Sequence, residues 1–462
     1  MEPSGQAPTK ALWLRREVAR LLVVALLAEI GFAVLNISTM PVYLREDRGF
    51  GEGVIALVVT TFLLSEALFK GSMGHLADRY GRRRLMVLGT GLTAATPLLT
   101  MLVPRHWGYG ETLALMGLRA VDGLGAAMLW PAAFALMNDT VEDGERQEAM
   151  SLLNMCYLVG IALALPVGGL VNDQLGPWFR DFGGERVPSL WLASALFLGV
   201  SVASFRFVPS GRELRLNRAV QRASGEPEDL RTLLESARRI PSYLLLGFVT
   251  FVGVGFPMVP LKLFAKDQFQ MSETQFGVLV LPGAILMAAL SVPMAKLGER
   301  IGRVRAVHLG MFLCVVGLAV ISSGAVFPAF RTQWVLALGG IPLGIGFLLT
   351  IPAWYASVSE LDPNTRAANI GAVMTAQGLG AILGAPLGGT VYQHRYWFAD
   401  LYGRFLSGGG IDRLMAPDRF RELTEGFGRY MLFVGCLVFV MLGWLLGLRV
   451  LKAPSGPARP SE

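Results

Sequence analysis

Long apolar runs separated by short polar breaks fill the chain from Leu21 to Trp444. A helix rising ~1.5 Å per residue needs about 20 apolar residues to cross a hydrocarbon layer of ~30 Å. Twelve runs meet that length, beginning near residues 17, 54, 84, 110, 149, 188, 242, 274, 305, 332, 367 and 428 and each lasting roughly 20 to 27 residues. The pattern predicts an all-α membrane protein with twelve transmembrane helices. Composition agrees: with 53% hydrophobic and 16% charged residues and 55 glycines, the chain is too apolar for an ordinary soluble domain. The first run is too long for a cleaved signal and is expected to be retained.

The polar breaks then orient the helices. The net charge of +7 suggests nucleic acid until its placement is read, because the bases lie in short segments between apolar runs, which is the mark of cytoplasmic loops. No nucleic-acid partner is implied. Lys10, Arg15, Arg16 and Arg20, the cluster from Arg79 to Arg84, the stretch from Arg206 to Arg239 and the group from Lys296 to Arg305 all fall on one side. Both termini are therefore expected in the cytoplasm of a multi-pass protein of the bacterial inner membrane.

The expected organisation is a tail (1–16), a six-helix bundle (17–208), a cytoplasmic linker (209–241), a second six-helix bundle (242–452) and a tail (453–462). In the linker, "EPEDLRTLLESARRI" puts Leu230, Leu233, Leu234 and Ala237 on one face of a helix suited to the membrane surface. Within the second bundle, 394–427 reads as an extracytoplasmic loop element of alternating charge.

The two halves repeat. "GHLADRYGRRR" from Gly74 is echoed by "AKLGERIGRVR" from Ala295 at a displacement of 221 residues, which pairs Asp78 with Glu299, Arg79 with Arg300, Gly81 with Gly302 and Arg82 with Arg303. Gly123, Gly125, Pro131 and Asp139 meet Gly344, Gly346, Pro352 and Glu360 at the same spacing. After a slip of one residue, Gly160, Pro166, Gly168 and Gly169 meet Gly380, Pro386, Gly388 and Gly389. Six helices separate equivalent points, so the halves are parallel repeats about an axis along the membrane normal.

On these motifs the chain resembles the major facilitator superfamily (MFS), and the resemblance covers nearly its whole length. "GHLADRYGRR" matches the superfamily's loop motif at Gly74, Asp78, Arg79, Gly81, Arg82 and Arg83. "RAVDGLG" at Arg119 is similar to its fourth-helix motif, and "GIALALPVGG" at Gly160 to the fifth-helix motif of its twelve-helix drug:proton antiporters, with Leu165 standing where those usually carry glycine. The copy "GAILGAPLGG" contains Gly380 and Gly384. The resemblance implies two parallel six-helix bundles, a cytoplasmic gate built from the loop motif with Asp139, Glu299, Arg300, Arg303 and Glu360, and helices that bend at Pro166 and Pro386.

Charges inside the apolar runs are the candidate chemistry, since each is costly unless paired or wet. Glu66 and Lys70 stand four apart and Arg119 and Asp122 three apart, so each pair can meet on its own helix face. Glu29 has no local base nearer than Arg20, and it lies ~18 Å along its helix at a depth similar to that of Arg119, so the two are expected to meet. By resemblance the first and fourth helices line the central cavity. Glu29 is then the first candidate to carry protons and Asp122 the second, with Arg119 tuning both and Glu66 a further candidate.

Phe32, Asn36 and Met40 follow Glu29 at helical spacing, Trp130 follows Arg119, and Trp354 and Tyr355 come from the tenth run. Such walls suit an amphipathic small-molecule substrate. Cys156, Cys314 and Cys436 fall inside helices and read as packing residues. His75, His106, His308 and His394 lack metal-ligand spacing, and no nucleophile elbow or phosphate loop appears, so no enzyme, metal or cofactor is expected. The expectation is a monomeric secondary transporter working by alternating access and exporting amphipathic molecules in exchange for protons. The alternatives are an uptake symporter or facilitator, a lipid exporter, or a non-transporting receptor or scaffold.

Overall fold

The computed structural model describes residues 11–142, 145–208, 238–359, 361 and 366–451. The expected linker helix lies outside these residues. Among the described residues the chain is helical with no strand, and twelve helices are long and apolar enough to cross a membrane. These are α1 (Arg16–Asp47), α2 (Glu52–Tyr80), α3 (Arg82–Leu102), α4 (Tyr109–Thr140), α5 (Arg146–Phe179), α6 (Val187–Phe207), α7 (Pro241–Phe269), α8 (Glu273–Ile301), α9 (Arg303–Ser322), α10 (Gln333–Ser359), α11 (Arg366–Gln393) and, last in the chain, α13 (Pro417–Val450). A shorter helix, α12 (Arg395–Gly408), precedes α13.

Local chemistry sets the breaks. Gly81 and Gly302, equivalent in the repeat, have φ of 103° and 91°, a region open to glycine, and each ends one helix and starts the next in a single residue. In α1 the turns Val34–Thr39 and Tyr43–Asp47 are π-helical around Pro41, whose missing N–H removes a ladder bond. α7 breaks between Gly255 and Pro260 and resumes with that proline at its first position.

By compactness the chain divides into unit 1 (Met1–Phe50, Leu57–Glu226 and Met271–Ala284) and unit 2 (Gly51–Ala56, Pro227–Gln270 and Ile285–Glu462). Two short segments thus depart from a simple cut between the sequence halves. Within each unit small residues let backbones approach, which is the main source of helix association where lipid is as apolar as the side chains. In unit 1 a Cβ on Gly125 of α4 would lie 2.7 Å from the Gly89 carbonyl of α3. In unit 2 a Cβ on Gly346 of α10 would lie 2.3 Å from the Gly310 carbonyl of α9. Both pairs sit at the 221-residue displacement, so the same crossing is built twice.

The expected loop at 394–427 is largely helical. α12 occupies its first part, and the last helix begins at Pro417 rather than near 428. The apolar run marks only the part of α13 suited to lipid. Its polar start continues the helix through the i,i+4 pairs Arg421–Glu425 and Glu425–Arg429, and the Phe427 ring stacks on Tyr402 of α12 with centroids 4.0 Å apart.

Candidate functional site

The fourth-helix motif comes first, because its glycines aim its charges. A Cβ on Gly123 would lie 2.3 Å from the Phe62 carbonyl of α2, and Gly125 fits against α3, so α4 is wedged between these two helices. Arg119 and Asp122 then face a seam of buried α3 threonines, Thr93, Thr96 and Thr100. Arg119 Nη2 lies 2.7 Å from Asp122 Oδ2, with the side chains 1% and 0% exposed. Arg119 also donates to the Thr100 hydroxyl at 3.3 Å, and the Thr96 hydroxyl donates to Asp122.

The expectation that Glu29 meets Arg119 is not met. Equal depth did not fix the direction in which each side chain points, and Arg119 closes on its own helix. Glu66 and Lys70 pair with each other on α2 at 3.0 Å. Glu29 is 4% exposed, and among the described residues no hydrogen bond or salt bridge to its carboxyl is found. Gly160 of α5 makes room for it, since a Cβ there would lie 2.7 Å from the Glu29 Cβ. The first glycine of the fifth-helix motif therefore sits on the first candidate acid.

Around this acid the surface is aromatic. Tyr157, one turn before Gly160, is 40% exposed. The Trp130 ring stands edge-on to Tyr157 at 5.7 Å and packs on Phe134 at 6.0 Å. Phe32 is buried between Phe197 (4.6 Å) and Phe62 (5.8 Å). Asn36 turns its amide back to the Phe32 carbonyl at 3.0 Å, and Met40 is fully buried. The wider π-helical turn of α1 shifts the face on which straight α-helical spacing had placed Asn36 and Met40. Tyr157 is the residue that sequence reasoning missed; its position one turn from the motif glycine was the available signal.

In unit 2 Trp354 is buried and its indole N–H meets no acceptor among the described residues. The Tyr355 hydroxyl donates to Gln377 Oε1 of α11 at 2.8 Å. Gln377, itself buried, carried no sequence signal. Gly380, Gly384 and Gly388 of α11 lie along the α7 backbone, where Cβ atoms would approach the carbonyls of Phe248, Val252 and Phe256 to 2.3, 2.1 and 1.8 Å. In unit 1 a Cβ on Gly168 would come within 2.4 Å of Ser38 Oγ on α1, while Gly169 touches the Glu273 backbone. Pro166 and Pro386 lie inside α5 and α11.

At the loop motif, Arg82 donates to Asp139 and, at 2.5 Å, to the Ala135 carbonyl, which ties the start of α3 to the end of α4 within unit 1. Gly74 faces Pro131 at an ordinary 3.6 Å. Arg79 lies over the Tyr80 ring, Arg303 is engaged with a neighbour, and Glu299 and Arg300 are exposed. Glu360 and the side chain of Asp78 lie outside the described residues. Sequence reasoning missed the bidentate pair of Arg15 with Glu145 at 2.7 and 2.6 Å, which holds the Glu145 carboxyl below the usual carboxylate range.

With helices, repeat and motifs placed, comparison with known proteins is decisive at the family level. A family model described as Major Facilitator Superfamily matches residues 21–385. The chain belongs to the Major Facilitator Superfamily. Family and fold together make it a membrane transporter and not an enzyme. Among relatives, Multidrug resistance protein 2 of Bacillus subtilis (strain 168) is 22% identical over 386 residues, covering 82% of this chain and 90% of that one. The fold is shared with solved transporters. A variant of the nucleoside transporter NupG superposes with a TM-score of 0.70 at 13% identity, over 94% of this chain and all (100%) of that one. A bacterial homologue of the human lysosomal transporter Spinster gives 0.68 at 15% identity, over 98% and 100%.

Proposed function

We propose that this superfamily transporter exports amphipathic small molecules in exchange for protons, with Glu29 as the proton carrier. One observation carries the reading: an acid buried in a spanning helix, unpaired among the described residues and packed against the first glycine of the antiporter-like motif. A buried carboxylate without a cation partner is costly when charged and cheap when protonated. Sliding of α5 against α1 changes the room and the water around Glu29, and with them its affinity for a proton. Arg119 and Asp122, closed on each other in the α3–α4 seam, serve as a structural pair in this account.

The ring cluster of Trp130, Phe134 and Tyr157 and the Glu66–Lys70 ion pair of the same unit support an amphipathic substrate, because rings supply contact area and the few charges set orientation. The named multidrug relative points the same way. The basic loops support an orientation with both ends of the chain in the cytoplasm.

The test uses proteoliposomes and a fluorescent lipophilic dye. An imposed pH gradient drives dye accumulation by the native protein, and Glu29→Gln abolishes that drive while dye-for-dye exchange persists. Accumulation by the native protein that ignores the gradient would reject proton coupling.

A further inference from the structure

One end of unit 1 carries bases that no acid answers. α6 finishes with Phe205, Arg206 and Phe207, and both rings are exposed. The Arg83 guanidinium, from the first turn of α3, lies over the Phe205 ring at 4.6 Å, and that of Arg20, from α1, lies over the Phe207 ring at 5.3 Å. Successive helical positions turn by about 100°, so Phe205 and Phe207 point to opposite flanks of α6 and Arg206 points between them. Three guanidiniums thus ring the end of one helix. Among the described residues none of Arg20, Arg83 and Arg206 meets a carboxylate, whereas their neighbours Arg15 and Arg82 are taken by Glu145 and Asp139.

Orientation of the chain does not ask for this arrangement. Bases anywhere in a loop mark its cytoplasmic end, and they need no ring beneath them. Here each flanking guanidinium is laid on an aromatic face, which holds it without using its in-plane N–H donors. Arg83 also stands in a first turn of arginines, Arg82 to Arg84, with no acid and no side-chain cap, where the helix dipole opposes a base and favours an anion. Along the rest of α6, Trp191, Leu198, Val202 and Phe205 follow one another at helical spacing and are all exposed, so this face is turned to acyl chains over the length of the span.

The ligand that fits is an anion with an apolar body able to lie along α6. We propose that this end of unit 1 binds an anionic phospholipid, with the headgroup phosphate held by Arg20, Arg83 and Arg206 and an acyl chain laid along Leu198 and Val202. The charge pattern assigns this end to the cytoplasmic side. Planar guanidiniums suit a phosphate, since each can offer two parallel N–H bonds to two of its oxygens. A lipid whose phosphate carries choline brings its own cation to three arginines that lack a counterion, so the site discriminates against it. A soluble phosphate makes the same polar contacts and gains nothing from the apolar stripe. The site uses neither Glu29 nor the Arg119–Asp122 pair and does not rest on the transport reading.

Native mass spectrometry of the purified full chain, titrated with phosphatidylglycerol or with phosphatidylcholine of the same acyl chains, tests the site through the first lipid bound. The native protein should bind phosphatidylglycerol at least about ten-fold more tightly than phosphatidylcholine. Each base near an anionic lipid surface contributes about five-fold in affinity, so Arg20→Gln/Arg83→Gln/Arg206→Gln should lose about 100-fold for phosphatidylglycerol. Lys296→Gln/Arg305→Gln/Arg449→Gln removes as much charge from exposed bases of unit 2 and should keep the native affinity. Phe205→Leu/Phe207→Leu changes no charge and should weaken phosphatidylglycerol about five-fold. Equal affinity for the two lipids, or a loss in the unit 2 variant that matches the triple arginine variant, overturns the site. Inorganic phosphate that displaces phosphatidylglycerol at a matching concentration would make the ligand a free anion and overturns the lipid. Should the arginine variant not fold, the ring variant decides, because full affinity without the two rings overturns the site.

Discussion

Replacing Asp122 by asparagine keeps the shape of the side chain and removes its charge, leaving Arg119 1% exposed with its buried counterion gone. Removing one partner of a buried pair costs about 3–5 kcal/mol, because the remaining charge is neither solvated nor compensated. For a folding unit of about 150–250 residues each kcal/mol moves Tm by about 2–4 °C, so Asp122→Asn should lower Tm by roughly 6–20 °C. Replacing both residues by leucine removes the desolvation penalty along with the attraction. Arg119→Leu/Asp122→Leu should therefore fall less than either single substitution.

Differential scanning fluorimetry in detergent reads Asp122→Asn and the four corners of the cycle formed by the parent, Arg119→Leu, Asp122→Leu and the double leucine variant. A Tm for Asp122→Asn within about 1 °C of the parent, or a double variant that simply sums the two single losses, would refute the structural pairing. The pH dependence of dye flux separates this role from proton carriage. Asp122→Asn protein that remains folded should keep the parental pH profile, whereas a profile that collapses would return Asp122 to the coupling chemistry.

Gly384→Ala places a Cβ 2.1 Å from the Val252 carbonyl and should destabilise unit 2 by about 1–3 kcal/mol, seen as a lower Tm; an unchanged Tm would mean that α7 and α11 do not meet as described. Tyr355→Phe removes the donor to Gln377 and should cost about 1 kcal/mol, seen as a lower Tm; an unchanged Tm would mean that the bond contributes nothing to the packing of α10 on α11. Glu145, held below the usual carboxylate range by Arg15, contributes stability that is present above the ordinary carboxylate value and is lost as pH falls through the lowered one. Arg15→Gln should accordingly lower Tm slightly at pH 7 in low salt, with the difference fading in high salt or in acid, and a loss of the same size in acid would contradict the linkage.

Span count and repeat were legible because bilayer thickness and parallel duplication act on the whole chain. Gly81 and Gly302 could be placed from the loop motif because a one-residue break with positive φ nearly demands glycine. Directions around a helix axis were not legible. Span boundaries put Glu29 and Arg119 at a similar depth, but the i,i+3 closure of Arg119 on Asp122 and the π-helical turns of α1 decide which neighbours each side chain meets. Tyr157 and Gln377 carry no pattern of their own; only packing next to Gly160 and Tyr355 marks them. The apolar run hid the polar start of α13.

Proton release measures the central claim most directly. Purified protein in weakly buffered detergent solution, given the lipophilic dye, should release protons on binding, and Glu29→Gln should bind the dye and release none. Equal proton release from both proteins, or none from the native one while dye binds, would contradict Glu29 as the carrier.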